Sequence, residues 1–330
     1  MLIGCASNDS ETSTATQLSA PAASATSVDI ATAASDLPTS VASATGQPGV
    51  QAEIEIGGGQ LLGLAADADS VWPISYDNGT ISKVDPASNK IAAVVDLGAG
   101  AASALAVDGD VWVAGYGQSE SALYQVDAAS ATLTATHQAG ELCCDLSSGE
   151  GSLWAVNPAG SAVEIDLATG KTVQTIPIVV DRNAHINAVY ADGLLWFASD
   201  TTALSRLDPQ SGVIDQFDVG GGVPFLARDG LLWGASPTTV WAVDGDGQVV
   251  EHIDLSRSIE VISLEVHGSD VWAGIRHPGH VGAVQQIDRS SARVLNEFHV
   301  DIPARMVIGF GSLWVTDSGS NKLYRIGPLD

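Results

Sequence analysis

Residues 105–138, LAVDGDVWVAGYGQSESALYQVDAASATLTATHQ, decide how this chain folds. They contain four short apolar runs, LAVD, VWVAG, ALYQVD and TLTATHQ, separated by turn-forming Asp, Gly and Ser. Runs this short, alternating in polarity and bounded by such residues, read as strands with one buried face. A Trp sits in the second run, and an apolar residue followed by Asp closes the third.

Both marks recur along the chain. An apolar residue precedes Trp72, Trp112, Trp154, Trp196, Trp233, Trp272 and Trp314, at intervals of 40, 42, 42, 37, 39 and 42 residues. The closing Asp recurs as Asp85, Asp127, Asp166, Asp208, Asp244 and Asp288, with Gly327 in the seventh copy. Turn sequences such as DPASNK, DLATGK and DPQSGV follow it. Four short strands per repeat of this length are the signature of a propeller blade. The prediction is an all-β, seven-bladed β-propeller of four-stranded blades over residues 50–330. The last repeat stops at its third strand, LYRIGPLD, while QAEIEIG at 51–57 is a strand without a repeat. The N-terminal strand is therefore expected to pair with the last blade and close the ring, which removes an exposed edge.

The Leu-Trp pairs and Asp-Pro-x-x-Gly turns over 51–330 resemble the YVTN-repeat and virginiamycin B lyase (streptogramin lyase) group of propellers. The resemblance implies the fold and, as one functional alternative, a metal-dependent lyase or hydrolase. In the lyases two His and one Glu on neighbouring blades hold a magnesium ion. Leu195-Trp196-Phe197 approaches that family's repeated Trp-Phe-Thr-Glu, but Ala198-Ser199 stand where Thr-Glu would, so no catalytic residue is carried over. The seven repeated Trp are expected to fill the wedges between blades, where a large aromatic buries most area. Trp241 lies off the pattern, in the third strand of its repeat, and is expected at the surface.

With 39 Asp and Glu against 13 Lys and Arg, the net charge of -26 repels phosphate backbones and excludes nucleic acid as a partner. Halophilic adaptation also produces such acidity, but the low charged fraction of 16% and the many Ala, Gly and Ser look more like an exported protein. At the N-terminus, residues 1–4 read as the remnant of a lipoprotein signal, and Leu2-Ile3-Gly4-Cys5 resembles a lipobox whose Cys5 carries lipid. Residues 5–49, dominated by Ala, Ser and Thr and without Lys, Arg or aromatics, cannot bury enough apolar area to fold and read as a disordered tether. The expected location is extracytoplasmic, on the membrane through the lipid anchor only, as a monomer.

In a propeller the loops joining the outermost strand to the next innermost one, and the second strand to the third, surround the mouth of the central channel. The remaining turns lie on the opposite face and hold Asp67, Asp69, Asp108, Asp110, Asp192, Asp229, Asp244 and Asp246, all expected as turn formers. The mouth loops hold Arg182, His185, Arg257, Arg276, His277, His280 and Arg305, with Tyr76, Tyr116, Asp145, Asn187, Asp200 and Asp317 nearby. Loops on one end of a rigid scaffold carry binding residues, and Arg forks suit carboxylate or phosphate. The leading expectation is a non-catalytic propeller that binds a small anionic ligand or a protein partner there; Arg-Asp pairing that merely ties loops together is the structural alternative. No cofactor is predicted, and a divalent metal is considered only at His277 and His280, since two His do not complete a site. Cys143 and Cys144 fall at the same mouth, where a vicinal disulfide, two free thiols and soft-metal binding all remain open. Adjacent cysteines also admit a role as a redox partner.

Overall fold

A computed structural model describes residues 47–98, 100–115, 122–138, 142–157, 160–179, 187–198, 203–255, 260–277 and 282–329. Its 28 strands form seven four-stranded antiparallel sheets, with no helix among the described residues. Six blades use consecutive strands, A innermost to D outermost. The seventh joins the last three strands to the N-terminal strand Gly49–Glu55. The A strands of successive blades touch one another, and that of blade 7 touches that of blade 1, so the ring is closed. The chain is thus the seven-bladed propeller that the repeat predicts.

Closure is by the N-terminal strand, two residues earlier than its sequence suggests. Glu53, Ile54 and Glu55 lie opposite Tyr324, Leu323 and Lys322, and Lys322 Nζ binds Glu53 at 2.9 Å. On the face away from the channel mouth, Asp108, Asp192 and Asp229 adopt φ of 52, 51 and 56°, each followed by a glycine at positive φ. Two consecutive left-handed residues make the turn whose twist matches a tight hairpin, which is why Asp-Gly recurs there. Asp244 Oδ1 accepts the N–H groups of Asp246 and Gln248, at 3.0 and 2.9 Å, as a turn former does. In the C-to-D turns, hydroxyl donors from Ser88, Ser130, Ser211 and Ser291, helped by backbone N–H groups, hold the carboxyls of Asp85, Asp127, Asp208 and Asp288 below the usual range.

The hydrophobic core lies between blades. Seven apolar clusters occupy the seven blade interfaces, and the repeated Trp of each blade sits in the cluster it shares with the next. All seven are buried; at roughly 150–250 Å² each, burial contributes about 4–6 kcal/mol of transfer free energy per indole.

Trp241 corrects the expectation of exposure: it is 0% exposed and packs with Val189, Trp196 and Leu204 of blade 4. Room for it comes from Gly234, its cross-strand partner, where a Cβ would lie 2.2 Å from the indole. The indole N–H donates to the Gly221 carbonyl at 2.9 Å.

Cations also latch blade to blade. Arg325, on strand C of blade 7, lies 5.0 Å from the Trp314 ring centroid. It donates to Pro86 O at 2.6 Å and Asn89 Oδ1 at 3.0 Å in blade 1, and to Ser312 Oγ at 2.9 Å in its own blade. Lys83 over Trp72 and Arg206 over Trp196 repeat the device, bonding the turns of blades 2 and 5. Arg325→Ala is expected to cost about 2 kcal/mol in urea unfolding, from lost cation–π and hydrogen-bond energy. Arg325→Lys should recover only part, since a point charge cannot reproduce the fork; full recovery would show that charge alone closes the ring.

Candidate binding site

The seven A strands enclose a central cavity of about 390 Å³. Counting nine residues back from each repeated Trp gives Gly63, Ser103, Asp145, Asn187, Pro224, Ser263 and Arg305, of which Gly63, Ser103, Asp145, Ser263 and Arg305 line the cavity. In six of the blades the A strand breaks register beside this position, and such bulges re-aim side chains.

Among these, Arg305 of blade 7 reaches across to Asp145 of blade 3. Its Nε and Nη2 both donate to Asp145 Oδ1, at 3.1 and 2.7 Å, and its Nη1 donates to Ala304 O at 3.0 Å. Both side chains keep about a quarter of their surface, at 23% and 25%. Of the five guanidinium N–H donors three are engaged among the described residues, which leaves two. Asn187 holds the same position in blade 4, next to blade 3. It is 1% exposed, and neither its amide oxygen nor its nitrogen has a hydrogen-bond partner. A buried amide without partners is uncommon in folded proteins and marks a place where a water or ligand is wanted. Serines stitch this part of the wall: Ser103 Oγ accepts from Leu146 N at 3.3 Å, Ser147 Oγ from Tyr190 N at 2.8 Å, and Ser263 Oγ donates to Pro303 O at 2.8 Å.

One layer deeper, seven residues before each Trp, the wall is Ala65, Leu105, Ser147, Val189, Leu226, Glu265 and Val307. Glu265 is the carboxylate of this layer, 8% exposed. Its side-chain ion pair is with Arg228 of blade 5, Nη2 to Oε2 at 3.3 Å. Burial pushes the Glu265 carboxyl up to about 7, against the opposing pull of Arg228 and the Val266 N–H. Tyr190, also on the wall, stacks on Trp154 with centroids 5.4 Å apart, and burial plus its bond to Glu150 raise its hydroxyl to about 12.

The other sequence candidates divide. Arg276 pairs with Glu260 across strands A and B of blade 6 and does not line the cavity. His277, partly buried, follows it. Asp317 is 0% exposed and organises its own loop: Oδ1 accepts from Ile302 N and Gly319 N at 2.9 and 2.8 Å, Oδ2 from Asp301 N and Ser320 Oγ at 3.1 and 2.7 Å. Tyr76, half-buried, donates its N–H to Gln60 O at 2.8 Å. Tyr116, Arg182, His185, Asp200, Arg257, His280 and Cys5 lie outside the described residues. Cys143 and Cys144 begin strand A of blade 3, with Cys143 opposite Val156; their side chains are outside the described set. Among the described residues no group of three or more His, Cys, Asp or Glu is placed to hold a metal ion. Arg-Asp pairing, the structural alternative read from sequence, describes Arg305, while Arg276 pairs with a Glu of its own blade.

The chain shares the fold of streptogramin B lyase. A solved structure titled "Streptogramin B lyase structure" superimposes with a TM-score of 0.68 at 14% identity, covering 84% of this chain and 96% of that one. At this identity the likeness is one of fold alone. No family model and no curated protein matches the sequence. Glu265, Arg228 and Glu260 escaped the sequence reading, which sorted residues by loop. Aligning the A strands on their Trp would have singled out Glu265 as the carboxylate in a largely aliphatic column.

Proposed function

We propose that the protein binds a small anionic ligand at the mouth of its central channel. The supporting observation is the Arg305–Asp145 pair, a cation held across the cavity with two guanidinium N–H donors left over among the described contacts. A ligand carboxylate takes the free guanidinium donors. Lipid on Cys5 and the 5–49 tether hold the propeller at a membrane surface outside the cytoplasm. The lyase or hydrolase alternative rests on the fold, and fold does not carry function.

Calorimetric titration with caproate and with inorganic phosphate tests this reading. At least one is expected to bind, and Arg305→Gln to weaken it about thirtyfold, the loss of one charge-assisted contact. Arg276→Gln, outside the cavity, should leave affinity unchanged. Absence of binding by either anion, or equal affinity in Arg305→Gln, overturns the reading. Stoichiometric divalent metal in the unchelated protein, lost in His277→Ala, would instead favour the enzyme.

A further inference from the structure

The lower layer of the channel contains a charged group that the mouth does not use. Glu265 projects from strand A of blade 6 into a wall of Ala, Leu and Val, 8% exposed. Beside the Val266 N–H, its carboxyl has one long ion pair, to Arg228, whose own side chain is 41% exposed. Arg228 is thus the solvent-facing partner of the pair, with Glu265 the enclosed one. A carboxylate kept inside an aliphatic channel, with its proton affinity raised by burial, is a group in want of a better partner.

Strand geometry sets its distance from the mouth. Glu265 stands two positions beyond Ser263, the blade 6 member of the mouth layer, so the two layers are about 7 Å apart along the channel. The wall between them is largely aliphatic, with Leu64, Leu226 and Leu264 among its residues.

We infer that Glu265 is the recognition point for an amine, so that the channel takes a zwitterion with an apolar spacer, its acid at Arg305 and its ammonium at Glu265. The ammonium displaces Arg228 and gives the carboxylate a close, desolvated counter-ion. The acid end rests on the anion reading above; the amine end does not.

Three probes separate the ends: caproate, hexylamine and ε-aminocaproate, whose acid and amine lie about 7 Å apart when extended. In calorimetric titrations of the whole chain, ε-aminocaproate is expected to bind about tenfold tighter than caproate. Glu265→Gln should erase that advantage and leave caproate unchanged, with near-native circular dichroism confirming the fold. Hexylamine binding that is lost in Glu265→Gln supports the amine site even where caproate fails, in which case the anion reading alone falls. Equal affinities of ε-aminocaproate and caproate in the wild type, or an advantage that survives Glu265→Gln, overturns the proposal.

Discussion

Asp317→Ala is expected to lose about 4 kcal/mol of stability, the largest single effect outside the Trp core. Its carboxylate is 0% exposed and satisfies three backbone N–H groups and one hydroxyl, joining the loop before strand A of blade 7 to the loop after strand B. Removing it takes the acceptor from all four partly buried donors at once, and each donor left without a partner carries a desolvation cost. In a protein of this size the loss corresponds to a melting temperature lower by about 8 °C. Asp317→Asn should be intermediate, because an amide keeps one acceptor oxygen and turns an N–H toward the remaining donors. An alanine variant within about 1 kcal/mol of wild type would mean that the loop refolds around water.

Glu265→Gln should have the opposite sign and depend on pH. The carboxyl titrates at about 7 in the folded chain and near 4.5 when unfolded. Between these values the folded state binds more protons, so stability is full below pH 4.5 and falls as pH rises through 7. Above that, holding the ionised group in the channel costs about 3 kcal/mol. The neutral isostere escapes the cost, so Glu265→Gln is expected to gain about 3 kcal/mol at pH 8 and less than about 1 kcal/mol at pH 5. Urea unfolding at both values measures the difference, and a gain independent of pH would show that Glu265 is not the titrating group. A residue retained at such a cost in the channel wall fits the role proposed for it better than a structural one, because Gln would fill the same space.

The two predictions separate residues that look alike in sequence. Asp145, Asp317 and Glu265 are all acids near strand ends or within A strands. Asp317 is a loop organiser whose four acceptor positions are filled locally, within 16 residues. Asp145 finds its partner 160 residues away, across the ring. Glu265 meets Arg228 from the adjoining blade, 37 residues away. Residue type and loop position place Asp145, Arg305 and Asp317 in one candidate set, yet they have different jobs. Trp241 shows the same limit: its burial depends on Gly234 opposite it on strand B, and the cross-strand register makes that pairing.

What the sequence by itself determined is the architecture. The Trp spacing, the Asp-Gly turns and the surplus N-terminal strand act locally or through a repeated unit, so each copy states the same fold and the count of copies states the number of blades. What only the tertiary structure decided is which side chains meet inside the ring. Closure brings blade 3 opposite blade 7 and turns one face of every A strand into a common channel wall, so partners there are set by strand number and layer. Separation along the chain carries no signal for such contacts, because the ring, and not the local pattern, supplies their proximity.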